Sequence, residues 1–104
     1  MKGEYGKMLG KLQKMQEAMG KVEEELATEK IETSSGGGMV KVTVNGNQEV
    51  LAVKIDPSAV DPAEVEILED MVLTAVNDGV RQSRELAAQK MGKVTGGLGM
   101  PGLM

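Results

Sequence analysis

Val40-Lys41-Val42-Thr43-Val44-Asn45-Gly46-Asn47-Gln48-Glu49-Val50-Leu51-Ala52-Val53-Lys54-Ile55 is the stretch on which the fold turns. Val40, Val42 and Val44 alternate with Lys41 and Thr43, and Leu51, Val53 and Ile55 alternate with Ala52 and Lys54. A period of two places each apolar set on one face of an extended strand. Asn45-Gly46 between the two runs is the strongest short-range hairpin signal. Val50 and Ala52 leave the second face partly apolar. Upstream, Ser35-Gly36-Gly37-Gly38 reads as a turn and Ile31-Glu32-Thr33-Ser34 as a short strand. The three strands make a small antiparallel sheet.

Both flanks of the sheet read as helix. Tyr5, Met8, Leu12, Met15, Met19, Val22 and Leu26 are spaced alternately three and four apart, which is a heptad seam. The spacing predicts a helix from Glu4 to Lys30, roughly 40 Å long. Gly3, Gly6, Gly10 and Gly20 weaken it, by about 1 kcal/mol each relative to Ala. After the sheet, Asp56-Pro57-Ser58 redirects the chain, with Asp56 capping a turn. Asp61 as N-cap, Pro62 at the first helical position and Glu64 three residues on predict the start of a second helix. Its apolar face is Val65, Leu68, Val72, Ala75, Val76, Gly79, Val80 and Leu86. Acids crowd its first half and bases its second, as the helix dipole favours. The helix is expected to end near Met91-Gly92, and residues 93–104, rich in Gly, Met and Pro, are expected to be disordered. The fold class is α+β, with one α-β-β-β-α domain over residues 1–92.

Composition narrows the chemistry. The 104 residues contain no Cys and no His, so there is no thiol nucleophile, no thiolate metal site and no imidazole base. One aromatic, Tyr5, and nine Met imply an aliphatic, pliable core. Ser34-Ser35 beside three glycines resembles an anion loop only loosely, because the Lys and strand–helix context of a P-loop are missing. Glu23, Glu24 and Glu25 are consecutive in a helix and point apart, so they cannot ligate one metal. No catalytic residue, metal, cofactor or small-molecule substrate is expected. The N-terminus lacks a signal-peptide core and no apolar run approaches the roughly 18 residues of a membrane span, so a soluble, intracellular protein is expected.

Charge is unevenly distributed. Residues 1–21 carry five lysines against two glutamates, net +3. Residues 79–104 carry four bases against one glutamate, also net +3. Residues 22–78 carry three lysines against thirteen acids, net −10. If the helices pack antiparallel, both basic segments should meet at the end far from the sheet. Lys7, Lys11 and Lys14 share one helical face, as do Arg81 and Arg84. These five, with Lys90 and Lys93, are the candidate contacts to DNA phosphates. The helices are also longer than the sheet, and the sheet has open edges. A homodimer closing on Val40, Val42, Val44, Leu51, Val53 and Ile55 is therefore expected.

The stretch Val40-Lys41-Val42-Thr43-Val44-Asn45-Gly46, followed by Ile55-Asp56-Pro57, Leu68-Glu69-Asp70-Met71-Val72 and Ala75-Val76-Asn77, resembles the YbaB/EbfC nucleoid-associated family. That family's pattern runs G-x-V-x-V-x-x-N-G, I-D-P, L-E-D-L-[IV] and A-x-N; Met71 here replaces a Leu. The Met- and Gln-rich first helix and the tail ending in Pro101-Gly102-Leu103 fit as well. The resemblance implies a tweezer-like homodimer whose helices project as arms and contact double-stranded DNA. It also implies a cytoplasmic protein at the nucleoid, with roles in chromosome organisation and gene regulation.

The alternative is a coiled-coil chaperone or scaffold that grips a protein partner between its arms, for which the heptad seam and exposed Met would serve. Single-strand or RNA-loop recognition is disfavoured, since only Tyr5 could stack on a base. No groove-reading motif is present, so low sequence specificity is expected.

Overall fold

The computed structural model describes residues 2–97. The elements run α1 (Lys2–Thr28), β1 (Ile31–Ser35), β2 (Val40–Val44), β3 (Val50–Ile55) and α2 (Val65–Gly97). Short 3-10 turns at Gly36–Gly38 and Pro57–Ala59 join β1 to β2 and β3 to α2. The sheet is antiparallel in the order β1-β2-β3, with Thr33 opposite Val42 and Val42 opposite Val53. The architecture is α+β, two long helices on a three-stranded sheet.

The core lies between β2 and α2. Val40, Val42 and Val44 are 0 % exposed and pack on Ala75, with Leu68, Met71, Val72 and Val76 around them. Burying each valine stabilises the fold by about 1.5–3 kcal/mol. Two hydroxyls decide where α2 sits. Thr33 Oγ1 donates to the Ala75 carbonyl at 2.7 Å and Ser35 Oγ to the Met71 carbonyl at 2.6 Å. Alternate positions of a strand thus grip carbonyls one helical turn apart. The grip holds α2 over β1 and β2 and leaves all of β3 exposed.

The hairpin loop is longer than a two-residue turn. It spans residues 45–49, closed by the Asn45 N–H donating to the Glu49 carbonyl at 3.0 Å. Asn45 is buried, and its Oδ1 accepts from the backbone N–H groups of Asn47 and Glu49 at 2.9 and 3.1 Å. The left-handed residue is Gln48, φ 62°, and not Gly46. A bulge between Thr43 and Val44 leaves Leu51 as the extra residue of β3.

At the entry to α2, Asp56 accepts from the Ser58 N–H at 2.9 Å and its hydroxyl at 2.8 Å, capping the Pro57–Ala59 turn as expected. These bonds hold the Asp56 carboxyl below its ordinary 3.8. Asp61 caps a further turn and not the helix: its Oδ1 accepts from Ala63 N–H at 2.9 Å, and α2 starts at Val65. Pro62 therefore precedes the helix. At the other end α2 continues through Gly92 to Gly97, so residues 93–97, expected in a disordered tail, are helical. Most of that tail, residues 98–104, lies outside the described residues.

The molecule is long. Its radius of gyration is 20.1 Å and its extents are 73 × 23 × 16 Å, whereas a compact chain of this length would have a radius of about 13 Å. The helices are antiparallel: Val22 and Glu25 of α1 face Lys90, Lys93 and Val94 of α2. The first half of α1 projects past this contact. No described helix is long and apolar enough to cross a membrane.

Candidate nucleic-acid interface

Helix α1 positions Lys7, Lys11 and Lys14, all exposed, on its projecting half. They stand about 12–22 Å beyond Val22, at the usual helical rise. Arg84 and Lys93 are exposed on α2. Arg84 follows Ser83, which is 0 % exposed and bonded to the hairpin loop. The Ser83 hydroxyl donates to the Asn45 carbonyl at 2.7 Å and accepts from Gln48 N at 3.0 Å and Nε2 at 3.1 Å. Arg84 is thus fixed at the level of the loop, about 12 Å short of the α1–α2 contact. The bases do not gather at one tip, as the charge reading expected. They are strung along the molecule over roughly 35 Å, close to one turn of duplex DNA.

Two of the seven candidate bases are engaged with acids. Lys90 Nζ bonds Glu29 at 3.1 Å and Glu25 at 3.4 Å, and its side chain is only 23 % exposed. The hydrogen bond to Glu29 is the main reason its pKa is raised. Lys90 thereby ties α2 to α1. Arg81 bridges Asp78 at 3.4 Å and Glu85 at 3.1 Å on its own helix, and these bonds raise its pKa. Lys7, Lys11, Lys14, Arg84 and Lys93 make no ion pair among the described residues. The acids at the start of α2, Glu66, Glu69 and Asp70, are exposed on the half of the helix whose Leu68, Met71 and Val72 pack on β2.

The six residues expected at a protomer interface divide. Val40, Val42 and Val44 have no exposed surface, because α2 covers them. They belong to the protomer's own core and cannot face a second copy. Leu51, Val53 and Ile55 are exposed. Ile55 opens onto an apolar groove with Leu68, Val72, Leu73 and Val76 of α2. Strand alternation could not find the α2 half of this groove; a second apolar stripe on α2, through Leu73, was the available signal. Ser83 was also missed, although it falls four residues after Gly79 on the buried stripe. Asn77, adjoining the groove on α2, is exposed. Among the described residues no cluster of His, Cys, Asp or Glu could hold a metal ion.

The sequence profile of the YbaB/EbfC DNA-binding family matches residues 1–98. A nucleoid-associated protein of Syntrophobacter fumaroxidans is 56% identical over 89 residues, covering 86% of this chain and 81% of that one. One of Desulforamulus reducens is 52% identical over 103 residues, covering 99% and 98%. The crystal structure of an uncharacterized protein from Helicobacter pylori superposes with a TM-score of 0.72 at 30% identity, covering 78% of this chain and 85% of that one.

Proposed function

The chain belongs to the YbaB/EbfC DNA-binding family, and from that premise we propose that it binds double-stranded DNA as a homodimer, with low sequence specificity. Its place is the nucleoid in the cytoplasm, where it contributes to chromosome organisation and gene regulation. The observation that carries this reading is the set of exposed bases with no ion pair among the described residues, Lys7, Lys11, Lys14, Arg84 and Lys93, spaced along the molecule over about one duplex turn. Arg81 and Lys90, already matched by carboxylates, have the lesser part. Contacts to phosphates position the duplex without reading its sequence, and no groove-reading motif carries these bases to the base edges, which accounts for the low specificity. The second copy covers Leu51, Val53 and Ile55 together with Leu68, Val72, Leu73 and Val76, closing the β3 edge and its groove.

A duplex titration at two salt concentrations tests the reading. Affinity should fall steeply with salt, and Lys11→Glu with Arg84→Glu should weaken binding at low salt on the order of tenfold or more. No detectable duplex binding at low salt would sink it. The second reading, a grip for a protein partner, rests on the bare Met-rich face of α1 and would then stand in its place.

A further inference from the structure

Thr33 and Ser35 point to α2, so Ser34 between them points to the opposite face of the sheet. Val40, Val42 and Val44 lie under α2, so Lys41 and Thr43 share that outer face with Ser34. Val53 stands opposite Val42, which turns Ala52 and Lys54 outward as well. Ser34, Lys41 and Lys54 are all exposed. Ser34 pairs with Lys41, and Lys41 with Lys54. The three side chains therefore form one row across β1, β2 and β3, with neighbours about 5 Å apart at Cβ.

The charge of this row is unusual. Residues 22–78 hold three lysines against thirteen acids, yet two of those three stand directly opposite each other. Like charges so placed destabilise a sheet. Protection of an open edge explains a lysine on an outer strand, but Lys41 is on the central one. Neither lysine has an ion pair among the described residues. Glu32, on the same face, stands opposite Thr43 and not a lysine. Asp56, two residues after Lys54, gives its carboxylate to Ser58. Ser35 spends its hydroxyl on α2, whereas Ser34 keeps its own on the exposed face. Two ammonium groups and a hydroxyl, side by side with no carboxylate between them, suit an anion with several acceptor oxygens. We propose that Ser34, Lys41 and Lys54 bind a phosphate group on the outer face of the sheet. A phosphate between the lysines offsets their repulsion. It comes from the backbone of a DNA duplex, giving the protein a contact surface separate from the α1 lysines, or from the free anion. Experiment separates the two sources.

The variant to make is Lys41→Gln with Lys54→Gln. In chloride buffer its melting temperature should hold or rise, since a repulsion is removed. In duplex titrations the slope of log affinity against log salt should shrink by about 1–2, near one contact per lysine. Lys11→Gln, titrated beside it, reports the α1 lysines, so the two surfaces succeed or fail separately. Inorganic phosphate is the second probe. At constant ionic strength, exchanging chloride for phosphate should raise the melting temperature of the unaltered protein more than that of the double variant, with Ser34→Ala between them. A smaller salt slope assigns the site to the duplex. An unchanged slope, with the phosphate response lost in the double variant, assigns it to the free anion. If the unaltered protein binds no duplex, the phosphate melts alone decide. An unchanged slope with equal phosphate responses overturns the proposal. So does a lower melting temperature of the double variant in chloride, which would give the lysines to the fold.

Discussion

Gly46 stands where α1 meets the hairpin loop. Its N–H donates to the Leu26 carbonyl at 2.7 Å. A Cβ at this position would lie 2.6 Å from Leu26 Cδ2 and 2.8 Å from the same backbone oxygen. One contact could give way by a rotamer change, but the other is backbone and cannot. Gly46→Ala should destabilise the protein by about 1–3 kcal/mol through overpacking. Gly20→Ala should do the opposite. It lies inside α1 with nothing within 4 Å of its missing Cβ, so the gain is about 0.5–1 kcal/mol of helix propensity. Urea midpoints of the two variants should move in opposite directions. The Asn45-Gly46 pair was thus legible as a turn, but its glycine was legible for the wrong reason. The left-handed backbone falls on Gln48, and Gly46 is required by the closeness of Leu26.

Among the elements, α2 has two tasks that the sequence blends into one stripe. Its first half covers β1 and β2; its second half is pinned to the loop by Ser83 and to α1 by Lys90. Lys90 and Lys11 look alike as charges in a basic segment, yet of the two only Lys90 pairs with carboxylates among the described residues. Lys11→Gln should therefore lower both the affinity for duplex DNA and its dependence on salt. Lys90→Gln should change the salt slope less than Lys11→Gln does and lower the melting temperature, because it loosens the joint between the helices. Paired titrations and thermal melts separate the two. The seam of α1, the alternation of β2 and β3 and the Asp56 turn were all readable, since each is a local pattern. What covers a given face was not. Val40, Val42 and Val44 form a clean apolar row whether a helix or a second copy lies on it, and only Thr33 and Ser35, gripping α2 from β1, settle which. Asp61 was ambiguous for a related reason: an Asp side chain accepting from the N–H two residues on serves a turn and a helix start alike.

For the whole molecule, the consequence of α2 leaning towards β1 is an uncovered β3. The groove of Ile55, Leu68, Val72, Leu73 and Val76 is apolar and open in the single chain. Light scattering at micromolar concentration should give twice the 11.0 kDa chain mass. Val53→Asp with Leu73→Asp should return it to the single-chain value, and a single-chain mass for the unaltered protein would remove the homodimer. Thr33 and Ser35 then have an effect far from where they act. By drawing α2 off β3, they would make completion of the fold in the proposed homodimer a second-order event. The melting temperature of such a dimer should rise with protein concentration, so that dilution would weaken each remaining copy as well as reducing their number.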